Sequence, residues 1–486
     1  MRKCIPFLLV FLLLVCCALS SSFAESAGSG REVESGNYTY TLQDDDTWMI
    51  TGYKGQEATL VIPSELEGIA ITAIGPSAFV SNNNIIDVTI PEGIVSLGDY
   101  AFQRCDSLQF VNLPASLVEV GPNPFAGCES LLEIEVEAHN PNLAVIDGVL
   151  YSVNDARLIY YSMMKEDEEF TLKRGIRIIG ASAFYECDHI KRINIKPKSG
   201  DSSLIAIGRR AFYKCEKLEA IDLEYSQIST VGTEAFSGCK KLKKLSFPSK
   251  VTSIADRAFE GCSSLKELVL PETITTIGEM AFQNCSSLTA VKLPEGVTTV
   301  GKNTFANCES MEELILPDGL SYIGGGAFQC CENLKKVILP DSVDYIGSEA
   351  FFKCVGLEEV GIPENCNYIG ASAFEGCKSL SKLVLPPELY TINPSTFSGC
   401  ISLTDIELPE ELEEIGERAF FLCISLEKIM IPDPVETIGN YAFANCQTLK
   451  DIVLPEDLET IGPNTFDGVP AAADDDWPDL SDLVEE

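Results

Sequence analysis

The amino-acid sequence predicts a repeat solenoid, a chain wound into successive similar coils. The first observation is a 23-residue period, because a phenylalanine recurs every 23 residues from Phe236 to Phe466. The second is that the residues around each Phe recur with it, as in residues 274–294. The third is that a unit of this length holds too few apolar positions for a core of its own, so each unit must stack on the next.

Each repeat is predicted to contain one short strand and one turn. Among the apolar residues Leu288, Val291 and Leu293, the last two are separated by one residue, as in a strand with alternating sides. Val291 and Leu293 therefore face inward, while Lys292 faces outward. Pro294 has no N–H to donate and ends the strand. The Ala-Phe-x-x-Cys stretch is too short for a full helix, which predicts a turn or a single helical turn on the opposite side of the coil.

A glycine precedes the repeat Phe by four residues in 14 of 16 units, as Gly278 precedes Phe282. Asn393 and Ala255 replace it in the other two units. Glycine at a fixed position predicts a turn that needs either a positive φ or a close approach of two backbones. The sequence leaves both reasons open.

The chain is predicted to divide into five segments. In the first, Arg2 and Lys3 precede an apolar run over residues 5–19 that is too short to span a bilayer comfortably, which is typical of a secretory signal. Lipid attachment in this segment is disfavoured, because Val15 and Cys16 are not the small residues that such a site requires. The predicted segments are a signal peptide at 1–24, a flexible linker at 25–36, an N-terminal cap at 37–70, the solenoid at 71–469 and an acidic tail at 470–486.

Two interruptions of the period predict insertions. Between Phe125 and Phe184 the spacing grows to 59 residues, and the extra part, about 137–175, contains two apolar runs on either side of Asn154 and Asp155. This pattern predicts an inserted hairpin. Residues 196–203 predict a polar loop that bulges from the coil. Either insertion could serve as a binding loop or be structural variation without function.

Sixteen cysteines remain outside the predicted signal, and 14 of them lie three residues after a repeat Phe. An even number of cysteines in an exported chain suggests disulfides. The sequence nevertheless favours a buried column of free thiols, because side chains stacked in parallel register keep their Cβ atoms farther apart than a disulfide requires. The remaining two are Cys330 and Cys366, of which Cys366 occupies a core position.

Charge and residue types exclude several functions. The formal net charge of −38 argues against nucleic acid as a partner. The sequence lacks a second apolar stretch that could cross a membrane, and it lacks known catalytic or phosphate-binding motifs. The two histidines, His139 and His189, have no visible partner for acid–base chemistry. Paired carboxylates such as Glu410 and Glu411 are typical of a solvated acidic surface. We therefore expect no enzyme activity, no cofactor and no metal.

The outward strand position offers one candidate binding face. Beginning at residue 269 this position is mostly apolar, and two residues earlier the charges alternate in sign over seven coils, from Glu313 to Asp451. Such a face could bind a protein partner. Alternatively, β-branched residues simply suit strands and the charges fix the register, and the sequence favours this simpler interpretation. The candidate residues are Val269, Ile315, Ile338, Val384, Met430 and Val453.

The repeat resembles the BspA-type leucine-rich repeat of bacterial surface proteins, which has the same period with Ile-Gly, Ala-Phe, Cys and Leu-Pro landmarks. The opening of the chain is similar to that family as well, with Leu60-Val61-Ile62-Pro63 and with Ala78-Phe79, although Asn82 stands where later units carry Cys. The resemblance covers roughly residues 40–469. It implies a right-handed leucine-rich-repeat coil of about sixteen units, with short parallel strands, one per repeat, and turns or short helical turns opposite.

The resemblance also implies a function. It predicts an extracellular or cell-surface protein that binds a protein ligand, such as a host extracellular-matrix or cell-surface protein, and mediates adhesion to host or other cells. Two alternatives remain open. One is a secreted enzyme with its site in the 137–175 insertion, and the other is a passive structural component of a surface layer that self-assembles without a partner.

Overall fold

The computed structural model describes residues 31–195, 203–456, 458–470 and 483–484. The predicted signal segment, the first half of the predicted linker, most of the predicted acidic tail, and the polar loop apart from Ser203 lie outside these residues. The chain divides into two compact units. Unit 1 comprises Met1–Lys165 and Gly180–Ala183, and unit 2 comprises Glu166–Ile179 and Phe184–Glu486. Each unit is a β-solenoid with parallel strands, which confirms the predicted fold class.

The described residues of unit 1 form short strands. They are β1 (Glu32–Ser35), β2 (Tyr38–Leu42), β3 (Trp48–Tyr53), β4 (Thr59–Val61), β5 (Glu65–Leu66), β6 (Ile69–Ile74), β7 (Asp87–Thr89), β8 (Ser96–Leu97), β9 (Phe110–Leu113), β10 (Glu119–Val120), β11 (Glu133–Val136), β12 (Leu143–Ile146), β13 (Val149–Ser152) and β14 (Arg157–Tyr161).

Unit 1 begins with an antiparallel meander of β1, β2 and β3, and β3 then pairs in parallel with β6. Two parallel ladders follow, β6-β8-β10 and β4-β7-β9-β11. These pairings correct two predicted boundaries. Glu32–Ser35 pairs along its whole length with β2, so it is an ordered strand and not part of a flexible linker. Strand β4 already pairs with β7, so the first coil begins inside the segment predicted as a cap.

The insertion in unit 1 is a three-stranded antiparallel sheet of β12, β13 and β14. Strands β13 and β14 form the hairpin that the sequence predicts around Asn154 and Asp155, and β12 is an additional strand. Asp147 and Gly148 connect β12 to β13 with φ of 53° and 73°, the left-handed pair that a tight hairpin turn requires. Tyr160 on β14 packs edge-on against Phe125, with ring centroids 6.0 Å apart. The insertion is therefore part of the core of unit 1.

Unit 2 contains the regular repeats. Its strands are β15 (Glu169–Thr171), β16 (Ile178–Ile179), β17 (Arg192–Asn194), β18 (Ala206–Ile207), β19 (Ala220–Ile221), β20 (Thr230–Val231), β21 (Lys244–Ser246), β22 (Ser253–Ile254), β23 (Glu267–Val269), β24 (Thr276–Ile277), β25 (Ala290–Lys292), β26 (Thr299–Val300), β27 (Glu313–Ile315), β28 (Tyr322–Ile323), β29 (Lys336–Ile338), β30 (Tyr345–Ile346), β31 (Glu359–Gly361), β32 (Tyr368–Ile369), β33 (Lys382–Val384), β34 (Thr391–Ile392), β35 (Glu414–Ile415), β36 (Lys428–Met430), β37 (Thr437–Ile438), β38 (Asp451–Val453) and β39 (Thr460–Ile461).

Most repeats of unit 2 carry two strands, where the sequence predicted one. The predicted strand is the three-residue one, as in the ladders β21-β23-β25-β27 and β29-β31-β33. The second strand has two residues and ends at the Ile or Val that precedes the glycine four residues before the repeat Phe, as in β26-β28-β30-β32. A two-residue strand is too short to show a period-two pattern, which explains why the sequence did not reveal it. Among the described residues the named helical element is a 3-10 turn, Leu223–Tyr225, and no helix is long and apolar enough to cross a membrane.

In every described turn except that of Phe125, where Gly127 alone does so, two residues adopt the left-handed conformation. They lie two residues before and two residues after the repeat Phe, as Met280 (φ 58°) and Asn284 (φ 61°) do around Phe282. The N–H groups of these three residues donate to carbonyl oxygens of the following coil at 2.8–2.9 Å. Because left-handed backbone costs an L residue about 1–2 kcal/mol, this ladder of hydrogen bonds must offset that cost in every coil.

The phenylalanines form a stack in each unit. In unit 2 the rings run from Phe184 to Phe466 with neighbouring centroids 4.9–5.8 Å apart and ring planes within 21° of parallel. In unit 1, Phe79, Phe102 and Phe125 stack in the same way. Burial of each ring contributes about 1.5–3 kcal/mol, and each aromatic pair adds about 0.5–1.5 kcal/mol.

The glycine four residues before the Phe is required by a close backbone approach. Its φ is not left-handed, so the first of the two reasons that the sequence left open does not apply. A Cβ on Gly278 would lie 2.4 Å from the backbone N of Asp256 and 2.7 Å from the carbonyl C of Ala255, both in the preceding coil. A Cβ on Gly301, at the same repeat position, would make only ordinary van der Waals contacts, with Cγ of Glu279 at 3.4 Å, Oγ1 of Thr304 at 3.5 Å and Cα of Glu279 at 3.7 Å. The requirement therefore differs between coils.

This difference predicts unequal effects of one substitution at equivalent positions. We expect Gly278→Ala to lower the free energy of unfolding by about 1–3 kcal/mol, because the backbone of the preceding coil must move to admit the methyl group. Gly301→Ala, the matched control, should change it by less than about 1 kcal/mol in either direction. Urea denaturation of the two variants measures both values. Equal destabilisation would show that glycine is needed here for another reason.

The cysteines form a column beside the Phe stack. All sixteen described cysteines are unbridged in the structure, and 13 of the 14 that follow a repeat Phe donate their thiol hydrogen to the carbonyl oxygen of the Phe in the preceding coil, at 2.9–3.4 Å. Asn82, which replaces Cys in the first unit, donates its side-chain amide to the carbonyl oxygen of Gly55 at 3.0 Å. Each cysteine that donates in this way therefore forms a hydrogen bond with one buried carbonyl oxygen of the preceding coil. Cys366 is also buried, as predicted.

Burial makes the thiols hard to ionise. It raises the pKa of Cys285 and Cys354 from 9.0 to about 12, and it raises the pKa of Cys308 well above 9.0. A thiol of the unfolded chain ionises near its ordinary pKa, so unfolding releases protons above that pH. The stabilisation of the folded state that comes from keeping these thiols neutral is thus complete below about pH 9, and it is lost as the pH rises from 9 towards 12.

We therefore expect the free energy of unfolding to fall steeply above pH 9, by up to about 1.4 kcal/mol per pH unit for each buried thiol. Urea midpoints measured between pH 7 and 10.5 test this. The control is Cys285→Ser/Cys308→Ser, which keeps two hydroxyl donors that do not ionise and should have a shallower slope. An unchanged slope would contradict this explanation, as would a denatured, unreduced sample in which fewer than about half of the cysteines react with a thiol reagent.

Candidate functional site

The outward position of the three-residue strands forms the candidate site in unit 2. In β23 the alternation buries Leu268 and points Val269 into solvent, and the same pattern holds for β29 and β36. The candidate residues have exposed fractions between 44% and 76%. They are Val269, Ile315, Ile338, Val384, Met430 and Val453, and we call them the apolar row. Large apolar side chains that remain this exposed at one repeated position are a feature of binding surfaces.

Backbone pairing arranges the outward positions in three segments. They are Ser246, Val269, Lys292 and Ile315 on β21-β23-β25-β27, then Ile338, Gly361 and Val384 on β29-β31-β33, and finally Met430 and Val453 on β36-β38. Residues 405–407 form no strand, and this interrupts the row between the second and third segments. Lys292 and Gly361 also break its apolar character. The structure therefore brings the predicted residues together as short neighbouring patches.

Cross-coil ion pairs lie beside the apolar row. Lys336 Nζ lies 2.9 Å from Glu359 Oε1, and Lys428 Nζ lies 3.3 Å from Asp405 Oδ2. These four residues belong to the series in which the sequence showed alternating charge. Both pairs lie at the surface, with side chains that are 35–62% exposed, so each contributes only about 0.2–1 kcal/mol. Opposite charges in neighbouring coils nevertheless favour the observed register over a slipped one.

A second outward feature was missed by the sequence reasoning. Tyr322, Tyr345 and Tyr368 stack on β28, β30 and β32, with ring centroids 4.9 Å and 4.7 Å apart and planes within 11° of parallel. Burial between its two neighbours raises the pKa of Tyr345. Because the rings cover each other's faces, the stack presents ring edges and hydroxyl groups to solvent. The 23-residue spacing of these tyrosines was a signal that could have revealed the stack.

The side chains that the sequence offered as catalytic candidates are exposed to solvent. His139 and His189 are both exposed, and so are Glu410 and Glu411. In the part of the chain that the structure describes, no three His, Cys, Asp or Glu side chains are close enough together to hold a metal ion. Even Cys330, the half-exposed cysteine, has a pKa raised by burial, which opposes the thiolate form that a nucleophile needs.

Comparison with known proteins identifies the repeat. A family model described as the BspA type leucine-rich repeat region matches residues 67–152, 159–289, 252–380 and 367–472, which together make up more than half of the chain. A search of curated proteins gives no match.

Several solved structures are similar to this chain. A leucine-rich repeat protein from Bacteroides ovatus is 27% identical, and the alignment covers 90% of this chain and 92% of that one with a TM-score of 0.41. A leucine-rich cell surface protein from Faecalibacterium prausnitzii is 25% identical, with 88% and 95% of the two chains covered and a TM-score of 0.41. With the family model matching both units, the chain belongs to the BspA type leucine-rich repeat family.

Proposed function

We propose that this protein is a secreted or cell-surface binding protein that uses the apolar row to bind a protein partner, and that it mediates adhesion to host or other cells. The observation that carries the proposal is the exposure of the row. Val384 and Met430 are 76% and 70% exposed, whereas their chain neighbours Leu385 and Ile429 are 7% and 2% exposed. Leucine-rich repeat proteins generally bind proteins, and BspA-type members are typically surface proteins.

The chemistry of the face favours a protein over a small molecule. The row is an open surface that extends over successive coils about 4.8 Å apart, whereas small molecules are usually held in concave pockets. Apolar residues flanked by ion pairs resemble the apolar centre and polar rim of a protein interface. Partners of this kind include extracellular-matrix and cell-surface proteins of a host. The apolar leader at residues 1–24 supports export to the place where such partners occur.

Three substitutions on the row test the proposal. We expect Ile315→Thr/Ile338→Thr/Val384→Thr to weaken partner binding at least tenfold, because loss of well-packed apolar contacts in an interface costs on the order of 1 kcal/mol or more for each important residue. Threonine keeps the β-branched shape, so the strands should remain intact. Binding is measured to immobilised collagen, laminin and fibronectin and to intact host cells.

The matched control carries the same type of change at exposed positions of unit 1. Ile86, Val95 and Val118 are 39–45% exposed and lie outside the row, so Ile86→Thr/Val95→Thr/Val118→Thr should bind as the unaltered chain does. Equal loss in both variants, or no loss in the row variant, would remove the apolar row as the binding face.

A further inference from the structure

The strongly acidic chain contains one basic segment. Residues 173–257 carry 17 Lys and Arg against 9 Asp and Glu, a net charge of +8. The whole chain has a net charge of −38, so the residues outside this segment carry a net charge of −46. Most of this segment belongs to unit 2. A local excess of positive charge inside an acidic protein opposes the trend of the whole surface, and it creates an attractive field for anions at one place only.

The basic segment is densest in the coil of Phe236. Four lysines flank the buried Leu242 there, namely Lys240, Lys241, Lys243 and Lys244, and all four are exposed. The preceding coil adds the exposed Lys217 and the following coil adds the exposed Lys266. We call these six residues the lysine cluster. The six residues lie on three neighbouring coils, which together span about 10 Å along the direction of stacking.

Ion pairs hold part of the cluster in place without covering it. Lys240 Nζ lies 2.6 Å from Glu216 Oε1, and Lys243 Nζ lies 2.7 Å from Glu219 Oε2. The side chains of Lys240 and Lys243 remain 57% and 61% exposed, more than those of the two glutamates. The hydrogen bond from Lys243 lowers the pKa of Glu219, so this carboxylate stays ionised and keeps orienting the lysine. The ammonium groups are therefore positioned in advance for an outside anion.

We propose that the lysine cluster binds a sulfated polysaccharide, by ionic contacts between the lysine ammonium groups and sulfate groups. Short runs of lysine with this density are typical of sites for heparin-like polymers or nucleic acid. A flexible single chain with several sulfates can touch the cluster alone. A stiff duplex, which carries a phosphate charge about every 1.7 Å, would also lie along the acidic coils and be repelled. This inference does not depend on the apolar row.

A lysine pair elsewhere in unit 2 provides a matched control. Lys335 and Lys336 occupy the same repeat positions as Lys243 and Lys244, four and five residues after the column cysteine. The coils on either side of them carry Glu312, Glu313, Glu358 and Glu359 at these positions. The two pairs thus have the same local backbone and the same charge, but the control pair is flanked by four glutamates, whereas the coils beside Lys243 and Lys244 carry Glu219, Ala220, Lys266 and Glu267 at these positions.

The experiment uses the chain from residue 25 onward, with heparin as the probe, and measures Kd by titration calorimetry between 50 and 300 mM salt. We expect Lys243→Gln/Lys244→Gln to weaken heparin binding roughly tenfold. The slope of log Kd against log salt concentration should fall by about 1.5–2, because binding with two fewer ionic contacts releases fewer counterions. Lys335→Gln/Lys336→Gln should stay within about twofold of the unaltered chain. Lys240→Gln/Lys241→Gln, a second variant of the cluster, should weaken binding like the first.

Three results would overturn the proposal. The first is failure of the unaltered chain to bind heparin at 50 mM salt. The second is equal loss in the cluster and control variants, which would indicate a general effect of net charge. The third is equally tight, lysine-dependent binding of desulfated heparin or of duplex DNA, which would remove the requirement for sulfate groups or for a polysaccharide. Thermal unfolding of each variant, expected to be unchanged, shows that differences in affinity come from the surface.

Discussion

The rest of the structure depends on the fact that the inward side chains of a 23-residue coil are buried only when a neighbouring coil covers them. Phe282 illustrates this dependence, because its ring lies between the rings of Phe259 and Phe305, with centroid distances of 5.4 Å on both sides. Its carbonyl oxygen accepts the N–H of Cys285 and the thiol of Cys308. A slip of one residue between coils would break both the ring stack and the hydrogen bonds, so packing and register are fixed together.

Much of this arrangement could be predicted because the buried positions must repeat. The recurrence of Phe, Cys and Leu-Pro reveals the coil, and the step from Val291 to Leu293 reveals the three-residue strand. The left-handed residues could not be predicted, since they include Met280, Arg257 and Tyr100, which have no preference for that conformation. Hydrogen bonds to the next coil impose it, and such an effect appears only when two coils are placed together.

Prediction of the candidate site succeeded and failed for related reasons. The outward position follows from strand alternation, so the exposure of Val269 and Val384 could be expected from the sequence. The interruption of the row at residues 405–407 could not, because that coil keeps the same apolar spacing as its neighbours. The lysine cluster was overlooked because a net charge of −38 averages over the whole chain. Charge counted over single coils is the more useful quantity in a repeat protein, since each coil forms its own strip of surface.

The same constraint explains why two surfaces of different chemistry can occur in one unit. Inward residues are fixed by both neighbouring coils, whereas an outward residue contacts mainly solvent and the same position in the next coil. Substitution at one outward position in successive coils produces a row, and substitution at several outward positions in one coil produces a cluster. A row suits an extended partner that contacts many coils weakly, while a cluster suits a ligand with concentrated charge. The apolar row and the lysine cluster therefore follow from one scaffold, in which buried residues set the geometry and exposed residues set the chemistry.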